Sequence, residues 1–104
     1  MIRGTTPDYI LTVDADLTGM SVYVTIERGV NELTLTGDDL QIVSDGTAST
    51  IAFRLTQQQT LAFGIGMAEV QVKFISADGT TRATDIQPIT ISRALLDRVV
   101  TYDG

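Results

Sequence analysis

The chain contains neither histidine nor cysteine, so the two side chains that most often move protons, hold metals or attack carbonyls near neutral pH are missing. No Ser-His-Asp or Cys-His arrangement can be assembled, and neither can a disulfide or a zinc site of nitrogen and sulfur ligands. Ser21, Ser44, Ser49, Ser76 and Ser92 fall at predicted strand ends or turns, and no Gly-x-Ser-x-Gly elbow presents one of them as a nucleophile. Carboxylates are the remaining chemistry. The 13 Asp and Glu residues make an acid pair of the glycosidase kind conceivable, but a chain of 104 residues without tryptophan is poorly equipped to wall a sugar cleft. The sequence therefore predicts no enzyme and no cofactor.

Two further patterns invite a ligand. Asp14 and Asp16, one residue apart in a turn, could offer oxygens to calcium, with Asp38-Asp39 or Asp45 completing the shell if their loops meet. The alternating ligands and central glycine of an EF-hand loop are absent, so solvated turn residues are the simpler reading. Gly64-Ile65-Gly66 begins like a dinucleotide fingerprint, but Glu69 replaces the third glycine and an alternating strand pattern follows instead of a helix. Tyr9, Tyr23, Phe53, Phe63, Phe74 and Tyr102 lie mostly in strand patterns, where packing explains them better than a ligand platform.

A formal charge of −6, with 7 basic residues scattered along the sequence, opposes binding to a phosphate backbone. No apolar run reaches the ~20 residues that span a bilayer, and Arg3 to Asp8 is polar where a secretory signal would be apolar. The expectation is a single domain over residues 1–104 that binds neither nucleic acid nor membrane.

The elements that position these residues are short. Thr6 to Val13 and Ser21 to Glu27 alternate with period two, and the turn-rich Asp14 to Gly19 between them predicts neighbouring antiparallel strands. Glu32 to Thr36, Leu40 to Val43 and Ser49 to Leu55 continue as a predicted meander, with Gly46 in a turn. Thr56 and Gln59 then have capping-box spacing, which predicts a short helix before Glu69 to Ser76 resumes the alternation. Asp78-Gly79 marks a hairpin into a returning strand, Thr81 to Ile91, where Pro88 demands an edge or bulge. Ser92 could cap a terminal helical turn over Arg93 to Arg98.

About seven short strands with one or two helical turns specify an all-β, antiparallel β-sandwich, immunoglobulin-like in topology or else a small barrel. Leu95, Leu96, Val99 and Val100 crowd four aliphatic side chains into six residues. They either plug one end of the sandwich or form an interface, which predicts a weak homo-oligomer or a monomer that associates only within a larger assembly.

The opening Met1-Ile2-Arg3-Gly4-Thr5-Thr6-Pro7, leading directly into an alternating strand, resembles the start of short proteins from prophages of Firmicutes. Val22-Tyr23-Val24-Thr25 resembles their second strand, and Leu55-Thr56-Gln57-Gln58-Gln59-Thr60-Leu61-Ala62-Phe63 their L-T-Q-x-x-T-L-x-F segment. Val70-Gln71-Val72-Lys73-Phe74 with Asp78-Gly79 resembles their last hairpin. These proteins are similar to the N-terminal sandwich domain of phage baseplate upper proteins. The resemblance implies a structural or assembly role with other tail or baseplate proteins as partners, in a virion whose parts are made in the bacterial cytoplasm. It implies no catalysis and carries over no site residues. The competing expectation is an adhesin-like module that contacts host surface glycans or calcium through its acidic turns.

Overall fold

The computed structural model describes residues 1–103 as two antiparallel sheets stacked over one apolar core. The strands are β1 (Asp8–Val13), β2 (Ser21–Arg28), β3 (Asn31–Thr36), β4 (Gln41–Ser44), β5 (Ser49–Arg54), β6 (Gly66–Ile75), β7 (Thr81–Ala83) and β8 (Gln87–Ile91). A helix, α1 (Gln57–Leu61), joins β5 to β6, and a 3₁₀ turn over Gly37–Asp39 joins β3 to β4. The smaller sheet has the order β1-β5-β4, and the larger has β3-β2-β6-β7 with β8 also on β6.

Period-two alternation makes this a sandwich, because each strand sends one set of side chains inward. Val22, Val24 and Ile26 of β2 and Ala68, Val70, Val72 and Phe74 of β6 are buried, and they face Ile51 and Phe53 of β5 across the core. Tyr9 of β1 stands opposite Phe53, with their rings 5.5 Å apart. The strand order is immunoglobulin-like: β1, β5 and β4 take the places of strands B, E and D, and β3, β2, β6 and β7–β8 those of C′, C, F and G. Strand A's place, beside β1, is unfilled among the described residues.

Three connections differ from the sequence expectation. Asp14 to Gly19 does not join neighbouring strands; it carries the chain from the smaller sheet to the larger, since β1 pairs with β5 and β2 pairs with β3 and β6. Burial of Leu17 drives this crossing, and Ser49 fixes it: the Ser49 hydroxyl accepts from Leu17 N–H at 3.1 Å and donates to the Ala15 carbonyl at 2.8 Å. Second, the meander is broken between β3 and β4, where the 3₁₀ turn and buried Leu40 cross back to the smaller sheet. Third, the strand returning from the Asp78-Gly79 hairpin is two pieces. Lys73 pairs with Ala83 while Val70 pairs with Gln87, so β7 and β8 are offset by one residue. That offset is a bulge at Thr84–Ile86, anchored where Thr84 Oγ1 accepts from Val72 N–H at 3.1 Å. Pro88 lies in β8, the edge its missing N–H requires.

The Thr56 and Gln59 capping box forms as the spacing predicts: Gln59 N–H donates to Thr56 Oγ1 at 3.1 Å, and Thr56 N–H donates to Gln59 Oε1 at 2.8 Å. The predicted helical turn over Arg93 to Arg98 does not form. A single turn is marginal without tertiary support, and the partners here are distant ones. Asp97 pairs with Arg3, not with Arg93, and the Val100 backbone is held by Gln57.

Candidate functional site

The first 5 residues and α1 form one locked unit. Thr60, fully buried, accepts from Gly4 N–H at 2.9 Å and directs its hydroxyl to the Thr5 carbonyl at 2.9 Å. Arg3 reaches past it to the Leu61 carbonyl at 2.9 Å while its other nitrogen holds Asp97. Gly4 has φ of 76°, and a Cβ there would meet Leu61 at 3.4 Å, so glycine suits both the turn and the fit. Met1 to Arg3 also runs parallel to the end of β8, with Arg3 N–H to the Ser92 carbonyl at 3.0 Å and Ser92 N–H to the Met1 carbonyl at 2.7 Å. This covers part of the edge that Pro88 leaves weak.

The calcium candidates are separated. Asp14 and Asp16 follow the end of β1, whereas Asp38 and Asp39 lie beside its start with Asp8 and Tyr9, about 20 Å away along the six-residue strand. Asp16 is already engaged, accepting from Thr18 N–H at 3.0 Å and from the Ser44 hydroxyl at 2.7 Å, and these bonds hold its pKa at about 2. Asp45 accepts from the N–H groups of Thr47 and Ala48 at 2.9 and 2.8 Å, which lowers its pKa also. Asp16 and Asp45 thus spend their carboxylate oxygens on backbone and hydroxyl donors of nearby turns. No cluster of three or more acidic side chains suited to a metal occurs among the described residues.

Gly64-Ile65-Gly66 also proves structural. The Arg28 guanidinium donates to the carbonyls of Gly64 at 3.2 Å and Ile65 at 3.1 Å, and it lies where a side chain on Gly66 would begin. Phe53, Phe63 and Phe74 are buried and Tyr9 half-buried, but Tyr102 is 95% exposed.

Besides the one-sided edges of β3 and β4, three surfaces stand open: the β1 edge, a groove and a tail. β1 pairs with β5 alone. Because the Pro7 carbonyl accepts from Leu55 N–H, the odd-numbered positions of β1 bond to β5, and Asp8, Ile10 and Thr12 turn their N–H and C=O groups to the open side. Along that side runs a groove of about 610 Å³ between β1 and the bulged β7–β8 strand. Leu11, Val13, Val70, Val72 and Phe74 border it, with Asp14, Arg82 and Asp85 at its rim. Ile10, on the outer face, is 73% exposed.

The tail is the third surface. Leu95 is 92% exposed, Leu96 55%, Val99 41% and Val100 43%, so none of the four plugs the sandwich. Two hydrogen bonds latch it, from Gln57 Nε2 to the Val100 carbonyl at 2.9 Å and from Val100 N–H to Gln57 Oε1 at 2.8 Å. Nothing in the sequence announced this latch, because a glutamine in a short helix carries no pattern that points 43 residues away. The free β1 edge was equally hidden, since a strand's own alternation does not say how many neighbours it has. Neither a protein-family model nor a curated protein matches this chain.

Proposed function

We propose that this chain is a non-enzymatic structural or assembly module of a phage or prophage virion, working in a tail or baseplate through protein–protein contacts. One observation carries the reading. The two most distinctive stretches of the resemblance, Met1 to Pro7 and Leu55 to Phe63, are the ones joined through Gly4, Thr5, Thr60 and Arg3. Their joint occurrence therefore corresponds to one three-dimensional unit, which generic strand patterns would not require. The open β1 edge and the exposed aliphatic tail add surfaces of the kind that assemblies use.

The test is to purify tail particles from an induced lysogen that carries the gene, and to look for the chain by mass spectrometry. The reading expects the chain in stoichiometric amount and loss of infectious particles on its deletion. A chain missing from particles whose titre survives the deletion refutes it. The adhesin-like alternative expects instead a rise in melting temperature with millimolar calcium that disappears in Asp14→Ala/Asp16→Ala.

A further inference from the structure

We propose that the open β1 edge receives the C-terminal segment Arg98–Tyr102 of a second copy, so that copies join head to tail by strand addition. The inference rests on the assembly reading and names its partner. Strand A's place beside β1 is empty, and Ile10 and Thr12 turn unpaired N–H and C=O groups toward it. An added strand would satisfy those groups and close the groove beneath them.

The chain itself carries a fitting occupant. Arg98-Val99-Val100-Thr101-Tyr102 is rich in β-branched and aromatic residues, belongs to no sheet, and exposes its apolar side chains. Charge favours it over a second β1. Two β1 edges paired antiparallel would set Asp14 of each copy near Asp8 of the other, and of these acids only Asp8 has an ion-pair partner, Arg54. The tail instead brings Arg98 to a rim where Asp14 and Asp85 outnumber Arg82, in a protein of net charge −6. The segment contains no acid, and of the two that flank it, Asp97 and Asp103, the first is already taken by Arg3. In the free copy the Gln57–Val100 pair holds the segment on α1, and release from that latch frees it to be donated. Because donor and acceptor surfaces differ, the contact is heterologous, the type that closes into rings or extends into filaments.

The experiment uses the full chain in sedimentation velocity over a concentration series, with a synthetic peptide of residues 93–103 as competitor. Amide resonances of Ile10 and Thr12 report the edge. The expected results are a sedimentation coefficient that rises with concentration, its reversal by the peptide, and peptide-induced shifts at those two amides. Thr12→Pro should abolish the association, its reversal by the peptide and the shift at the Ile10 amide while leaving the fold intact, because the N–H it removes faces away from β5. Gln57→Ala, which opens the latch, should strengthen association. Peptide binding to the unmodified chain needs no variant to fold, so the absence of shifts at Ile10 and Thr12 overturns the proposal by itself. So does unchanged or weaker association in Gln57→Ala. Protection of the edge only when a different protein is added assigns it to a foreign strand, which also overturns the proposal. A Thr12→Pro chain that still enters tail particles sinks strand donation alone, whereas absence of the unmodified chain from particles sinks the assembly reading.

Discussion

Replacing Thr60 by valine removes one oxygen and almost no volume, which makes it the cleanest probe of the joint between the N-terminal segment and α1. The hydroxyl accepts from Gly4 N–H and faces the Thr5 carbonyl, each at 2.9 Å, at a residue with 0% exposure. Valine keeps the packing but leaves the Gly4 donor without its partner, at about 1–3 kcal/mol for an unsatisfied buried group. The Thr5 carbonyl, on an exposed residue, can turn to water and adds little. A loss of about 2 kcal/mol is expected, and with a urea slope of about 1.5 kcal/mol/M the midpoint falls by about 1.3 M. Thr60→Ser supplies the contrast, since it keeps the hydroxyl and deletes a methyl group, for about 1 kcal/mol. Urea denaturation of both variants, with hydrogen exchange at the Gly4 amide, checks the reasoning. If valine costs no more than serine, or if Gly4 stays as protected as before, the hydroxyl is not what joins the two segments.

Gly66→Ala should cost about 1–3 kcal/mol for its φ of 128°, plus displacement of the Arg28 guanidinium 2.8 Å from the new Cβ. In an Arg28→Ala background the steric part should vanish and the backbone part remain, which thermal melts of the four chains resolve. Ser49→Ala strips the partners from Leu17 N–H and the Ala15 carbonyl and should lower stability by about 2 kcal/mol, with faster exchange at the Leu17 amide. Asp16 and Asp78 are held at about 2 against an ordinary 3.8, so the unfolded chain takes up protons first and their stabilisation, full above 3.8, is lost as the pH falls toward 2. Melting temperatures across that range should therefore fall less steeply in Asp16→Asn/Asp78→Asn, and equal slopes would contradict the assignment.

Local features were legible in the sequence wherever one segment decides its own state. The alternation in Ser21 to Glu27, the Asp78-Gly79 hairpin and the Thr56 and Gln59 cap all depend on neighbours a few residues away, and all three form. The helical turn over Arg93 to Arg98 failed because Arg3 and Gln57, far along the chain, offered Asp97 and Val100 better partners. Asp14 to Gly19 departs from the sequence expectation for a related reason. A polar turn looks the same whether it joins two strands of one sheet or crosses between sheets, and only the burial of Leu17 distinguishes the cases. At the candidate sites, the turn positions of Asp16 and Asp45 are legible from their neighbours, whereas the empty place beside β1 required the strand order.

The joint at Thr60 also constrains the order of events during synthesis. It ties Gly4 to a residue 56 positions later, and Arg3 to one 94 positions later, so it cannot be complete until Asp97 has left the ribosome. Contacts of such wide separation incur a large loop-closure entropy before they return any stability, which places them late in folding. The hairpins β2–β3, β4–β5 and β6–β7 can form as they emerge, but the N-terminal residues that finally lie along β8 have to wait for it. During that interval the nascent sandwich has an uncovered β8 edge as well as an open β1 edge. The time spent between emergence of Ser92 and capture of Met1 to Arg3 is when the chain is most exposed to wrong pairing with its neighbours.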